Sequence, residues 1–281
     1  TAADAPVLVR LCSSLEGVPL AIELAASWAR ALPLEAIERD VSQNLDALTS
    51  TATDGVRRHA SIRATFEQSW SFLTEAEQGA LMRLAVFRSS VSPSAARFVA
   101  GASNVLLAAL VDKSLLRLRS NGRYALHPLL RSFSLEKLQA FPEDLERAER
   151  RHAAYYLRFL RERTDAAKGP NPAPVVAEID AEISEILGAV RAAHERGKRA
   201  QLVAFMRLLT ADTGYLPARD YGSGWLVLMT AAADAAVENG WLNAAHILKG
   251  RVGDAYLALG EPRKALPWYR EAADLAHEDG D

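Results

Sequence analysis

Histidines, a lone cysteine and paired carboxylates are the groups in this chain with the means to do chemistry, and their spacing argues against most of it. His59, His127, His152, His194, His246 and His277 are scattered. No H-E-x-x-H or comparable spacing joins them into a set of metal ligands. Cys12 is the single cysteine and lies on an apolar run, so it can form neither an internal disulfide nor a cysteine-based metal site. No G-x-S-x-G elbow occurs. Asp180 with Glu182, and Glu271 with Asp274, sit on stretches built for helix packing. They read as solvated helix faces rather than general acid–base pairs. A phosphate-cradling G-x-x-x-x-G-K-[ST] loop is missing as well: Gly197-Lys198 is followed by Arg199, with Ala192 where the first glycine would stand. The chain is therefore expected not to be an enzyme, with no catalytic residue, no metal site and no cofactor of its own.

The elements that must position any remaining function are mostly helical. The 281 residues allow two or three domains, and a hydrophobic share of 49% with 24% charged residues is ordinary for a globular protein. The net charge of −2 excludes a basic footprint over the whole chain. No apolar run is long enough to span a membrane, so neither a membrane nor a membrane partner is expected. A cytoplasmic location is expected. The chain opens on Thr1 rather than Met, and the repeats at its end stop without a polar cap, so continuation on both sides is expected.

Three regions are expected. Residues 1–54 read as helices: Pro6 to Leu15, then Pro19 to Arg30 with Pro19 at a helix start, and a linker from Thr49 to Gly55. Residues 55–142 form a second module. Ile62, Phe66 and Trp70 share a helical face. Thr74 and Glu77 form a capping box opening a helix through Leu81, Leu84, Ala85 and Phe87. Ser92-Pro93 opens a third helix, which Gly101 stops, and Ser103 caps a fourth over Asn104 to Asp112. The period then changes to two, with Leu116, Leu118, Tyr124 and Leu126 alternating with Arg117, Arg119 and Arg123. A three-residue loop, Ser120 to Gly122, puts Leu118 opposite Tyr124 and keeps the apolar side chains on one face. His127-Pro128 starts a further helix. Helices followed by a hairpin are the order of a winged helix-turn-helix.

Residues 143–281 return to helix, near 144–164, 174–196, 199–212, 223–238, 242–259 and 262–278. Gly253, Tyr256, Gly260, Ala265, Tyr269 and Ala272 follow the small–large pattern of a tetratricopeptide repeat. Tyr215, Tyr221 and Trp225 read as core. The fold class is mainly α: a winged helix-turn-helix with a small β-hairpin, then a tetratricopeptide-like α-solenoid.

A DNA reader needs long polar side chains along its recognition helix. Asn104 to Asp112 offers Asn104 near its start and is otherwise apolar. Direct DNA binding is not expected, although Arg117, Arg119 and Arg123 on the wing are placed where phosphates would lie.

Two short runs carry a family likeness. Glu16-Gly17-Val18-Pro19-Leu20-Ala21-Ile22-Glu23 resembles the G-L-P-L motif, and Tyr124-Ala125-Leu126-His127-Pro128-Leu129-Leu130-Arg131 resembles the M-H-D motif, of STAND signal transduction ATPases in the NB-ARC branch. Arg151-His152-Ala153-Ala154-Tyr155-Tyr156 resembles the entry to the repeats in bacterial regulators of that type. The resemblance implies that Pro19 packs on the adenine of ADP and that His127 meets its β-phosphate, both only in a full-length parent that binds ADP or ATP with Mg. It implies an upstream P-loop domain of the same chain as partner, an unknown inducer or protein on the repeats, and oligomerisation on activation. The function implied is regulation and protein interaction, the winged helix coupling nucleotide state to a repeat sensor. The alternative is a transcriptional regulator that uses the winged helix on DNA.

Overall fold

The computed structural model describes residues 4–15, 19–48, 54–217 and 223–279. The chain divides into two compact units, Thr1–Ala148 and Glu149–Asp281.

Unit 1 begins with helices α1 (Ala5–Ser14), α2 (Pro19–Trp28) and α3 (Leu34–Leu48). Prolines start each one: Pro6 lies in the first turn of α1, Pro19 is the first residue of α2, and Pro33 immediately precedes α3. A proline there sacrifices no helical hydrogen bond. Glu16, Gly17 and Val18 lie outside the described residues, as do Thr49–Thr53 of the expected linker. Asp54 and Gly55 are helical and open α4 (Asp54–Ser71). The three helices close over Leu11, Leu15, Ala21, Ala25, Trp28, Ile37 and Val41. Trp28 carries this core onward, meeting Phe72 edge to face at 5.9 Å.

The capping box forms as expected at α5 (Glu75–Leu84). Thr74 Oγ1 accepts from the Glu77 N–H, and the Glu77 carboxylate accepts from the Thr74 N–H at 2.7 Å. Helix α5 stops at Leu84, so Ala85 and Phe87 lie beyond it, though both stay buried. Ser92 caps α6 (Pro93–Ala100), Gly101 ends it at φ +70°, and Ser103 caps α7 (Asn104–Asp112). Strands β1 (Arg117–Leu118) and β2 (Tyr124–Ala125) pair antiparallel with Leu118 opposite Tyr124. Gly122 turns the loop at φ +74°, which is why the three-residue form is accessible. Val91 bridges to the far side of Tyr124. The chain order is therefore α5, the Val91 edge, α6, α7, then the hairpin. The expected apolar face is buried at Leu116 but not at Leu118, which is 57% exposed; strands of two residues carry it out of the core toward the loop. Helix α8 (Pro128–Gln139) returns Phe133 to Phe66 and Trp70.

Unit 2 is a helical solenoid. Helix α9 (Pro142–Arg161), which lies mostly within the residues of this unit, is followed by α10 (Thr164–Ala167), α11 (Ala173–Glu195), α12 (Arg199–Arg207), α13 (Ser223–Glu238), α14 (Leu242–Ala258) and α15 (Pro262–Asp279). The stretch expected as one helix over 199–212 changes pitch: Leu208–Asp212 is a π-helical turn, and the Thr213 N–H reaches the Leu208 carbonyl at 2.9 Å. The repeat pattern rests on a close approach between α14 and α15. A Cβ added at Gly253 would lie 2.7 Å from the Tyr269 ring, closer than two carbons can sit. Ala265 is buried on the facing helix. Tyr256 is half-buried and stacks on Trp268.

Candidate functional site

Pro19 and His127, the two positions singled out by the resemblance, both lie in unit 1. Pro19 is exposed at the start of α2, while Leu20, Ala21, Leu24 and Ala25 turn inward. Glu23, one turn along, faces the hairpin. Arg117 of β1 donates from Nη2 to both Glu23 oxygens, at 2.8 and 2.6 Å. Ser27, a further turn along α2, donates from Oγ to the Lys113 carbonyl at 3.3 Å. Lys113 Nζ in turn donates to both oxygens of the buried Glu77 at 2.7 Å. Helix α2 is thus fastened to the hairpin and to the start of α5.

His127 is the N-cap of α8, with extended backbone, and its Nδ1 accepts from the Leu129 N–H at 3.3 Å. An accepting Nδ1 leaves the proton of the neutral ring on Nε2, a tautomer inferred from the hydrogen bond. Partial burial lowers the pKa of the ring, the Arg117 guanidinium lowers it further, and Glu23 opposes both. Near neutral pH the side chain is therefore a neutral donor through Nε2–H beside a guanidinium. That combination suits a phosphate-type oxygen. Pro128 supplies no capping oxygen, and the imidazole caps the helix in its place.

The hairpin arginines are largely engaged within the unit. Arg117 holds Glu23. Arg123 donates to the Ser90 side chain at 3.0 Å and to its carbonyl at 2.6 Å. Arg119 is exposed. Helix α7 presents Asn104, Val105, Ala108 and Asp112 to solvent, with Val105 81% exposed. Its outer face carries no cation.

Other sequence candidates resolve differently from expectation. Glu182 is buried, not solvated, and accepts from the Tyr156 hydroxyl at 3.0 Å. Asp180 accepts from the Tyr215 hydroxyl at 2.7 Å. Tyr215 is core, as expected, Trp225 is half-buried, and Tyr221 lies outside the described residues. Glu271 accepts from Lys249 at 2.7 Å. Cys12 is exposed. Among the described residues no group of three or more His, Cys, Asp or Glu side chains is placed to hold a metal, and no single helix is long and apolar enough to cross a membrane.

Sequence reasoning missed a buried polar cluster between α9 and α11. His152 Nε2 lies 3.1 Å from Glu185, and the His152 ring meets Tyr156 edge to face at 4.9 Å. Burial, then Glu182 and Glu185, push the Tyr156 hydroxyl pKa upward. The signal was present as His152 and Tyr156 one helical turn apart, and Glu182 and Glu185 likewise. Lys249 was also missed. It is buried between Asp234 and Glu271 with its ammonium 4.5 Å from the Trp268 ring centre.

No protein-family model matches the chain. It is 32% identical over 209 residues to a putative HTH-type transcriptional regulator of Mycobacterium tuberculosis, covering 69% of this chain and 23% of the regulator, and equally to its Mycobacterium bovis counterpart. The chain thus spans about a quarter of the length of these relatives. An uncharacterized Mycobacterium tuberculosis protein is 34% identical over 149 residues, 48% of this chain and 38% of that one. Among solved structures, a STAND protein with a tetratricopeptide repeat sensor from Pyrococcus horikoshii aligns over 94% of this chain and 54% of its own, at 15% identity and a TM-score of 0.29.

Proposed function

We propose that this chain is the regulatory arm of a longer STAND-type signalling ATPase. In this reading residues 1–54 end the NB-ARC nucleotide-binding region. The α5–α8 module with its hairpin is a winged helix that reports nucleotide state, and unit 2 is a tetratricopeptide-like sensor for an inducer or partner protein. The arm itself performs no catalysis. In the parent, ADP or ATP with Mg would sit between an upstream P-loop domain and this arm, with Pro19 against the adenine and His127 at the β-phosphate. The observation that carries the reading is the Glu23–Arg117 link beside His127. It ties the helix of the G-L-P-L-like run to the element bearing the M-H-D-like histidine, so that whatever one contacts, the other feels. The low pKa of His127 supports the same role, since a neutral donor binds a phosphate oxygen without titrating near pH 7.

A second reading is favoured by one observation: the mycobacterial relatives are described as putative HTH-type transcriptional regulators. There the winged helix would bind DNA itself. The outer face of α7, which carries Asp112 and no cation, and the engagement of Arg117 and Arg123 within the unit, favour the first reading. A fluorescence anisotropy titration of the 281-residue chain against labelled duplex DNA at low and physiological salt separates the two. The regulatory reading expects no binding at tens of micromolar protein. Binding that falls steeply with salt and is lost on changing Arg117, Arg119 and Arg123 to Ala overturns it.

A further inference from the structure

We propose that unit 2 carries a binding groove for a small monoanion with an apolar body, between α9, α12 and α14. As a binding site it stands on its own geometry; as the trigger of the sensor it rests on the regulatory reading above.

The groove has a volume of about 400 Å³, within the range of small-molecule sites. Small side chains make the hollow. Ala200, Val203 and Ala204 of α12 and Ala244 of α14 form its floor, and Trp241, 37% exposed, forms one wall. Three charged side chains line it: Arg161 of α9, Arg207 of α12 and Asp212. Arg207 Nε is 3.6 Å from Asp212, and its Nη1 donates to Asn243 at 3.0 Å. Arg161 has no hydrogen bond or ion pair among the described residues. Two guanidinium groups against one carboxylate leave one net positive charge beside an apolar floor, with Arg161 exposed and Arg207 partly so. Arg199, the next cation along α12, is neutralised by Glu238 at 2.7 Å, which confines the positive charge to the groove.

The backbone independently marks the same place. In an α-helix, residues five apart point about 140° away from each other. The π-helical turn over Leu208–Asp212 closes on the fifth residue. That change of pitch lets Arg207 and Asp212 line one groove instead of facing apart. Such turns recur at functional sites.

The charge balance selects a monoanion, because a dianion would leave excess charge over apolar side chains. The planar Arg161 fork suits a carboxylate or a similar oxyanion. Trp241 and the alanine floor suit a flat or branched hydrocarbon body rather than a sugar or a polyanion.

The test is calorimetric titration of the 281-residue chain with naphthoate, with the uncharged alcohol naphthalenemethanol as its isostere. Saturable one-site binding of naphthoate is expected, about tenfold tighter than the alcohol, as one charge-assisted hydrogen-bonded pair provides. Arg161→Gln should abolish that preference while leaving the helical circular dichroism intact. Trp241→Ala should weaken both ligands. Equal binding of acid and alcohol, no binding of either at millimolar concentration, or an unaltered preference in Arg161→Gln overturns the proposal. Nucleotide exchange in the full-length parent separates the two levels. A groove that binds naphthoate selectively without altering ADP release keeps the site and refutes its role as the sensor's trigger.

Discussion

Arg117 on β1 grips both carboxylate oxygens of Glu23 on α2 across 94 positions of sequence. Both side chains are substantially exposed, 65% and 46%, so the pair orients more than it stabilises. Exposed pairs are worth roughly 0.2–1 kcal/mol. Arg117→Ala should therefore change unfolding free energy by less than about 1 kcal/mol, and a double-mutant cycle with Glu23→Ala should give a coupling of about 0.5 kcal/mol. Zero coupling would mean that the pair does not hold α2 to the hairpin in solution.

The His127 cap should make unit 1 pH-sensitive in a defined window. Its folded pKa is lowered from an ordinary value of about 6.5, so the unfolded chain binds the proton more readily. The stabilising contribution is complete above the unfolded pKa and is lost as pH falls through the folded one. Denaturant midpoints should drop from pH 7 toward pH 5. His127→Asn keeps a capping oxygen without a titrating ring, and should flatten that slope. Glu77 acts at lower pH: burial alone would raise its pKa, but Lys113 and Thr74 together hold it below the ordinary carboxylate value. An unchanged slope in His127→Asn would assign the sensitivity elsewhere.

Two glycines on α14 should respond oppositely to the same change. Gly250 has open space where a Cβ would go, whereas at Gly253 the Tyr269 ring stands 2.7 Å away. Gly250→Ala should stabilise by up to about 1 kcal/mol through helix propensity. Gly253→Ala should destabilise by about 1–3 kcal/mol through overpacking, and Tyr269→Leu should recover part of that loss. Thermal unfolding of the three variants decides the matter.

Lys249 should be intolerant of truncation. Its ammonium is shared by Glu271, Asp234 and the Trp268 ring, and it is 7% exposed. Lys249→Ala should cost about 2–4 kcal/mol by opening a cavity where the buried stem packs, since Asp234 and Glu271 are half-exposed and stay hydrated, and Lys249→Met, which keeps the stem, should cost visibly less. Equal losses would mean that the charge, not the packing, dominates.

How far the sequence could be read depended on how local each signal was. Caps at Thr74, Ser92 and Ser103 act within three residues, so they were legible, as was the hairpin register, because Gly122 and the alternation around it leave few choices. The exposure of Leu118 was not legible, because alternation marks a face without saying how far along the strand the core extends. The π-helical turn after Arg207 was hidden because 199–212 keeps ordinary helical spacing. Among the site residues, the likeness around Pro19 and His127 drew the eye to both, but their link runs through Glu23 and Arg117, which only tertiary packing brings together. The burial of Glu182 and Lys249 escaped for the same reason. A charged residue on a helix reads as solvated until a partner from another helix is known.

In the proposed regulatory role, His127 would hold nucleotide state in a longer parent. The direct measurement is the rate of ADP release from that full-length protein, followed with a fluorescent ADP analogue in wild type and in His127→Ala. Loss of one charge-assisted contact of about 1.5–3 kcal/mol should accelerate release by roughly ten- to a hundredfold, with Pro19→Ala acting in the same direction. An unchanged release rate in both variants would contradict the claim.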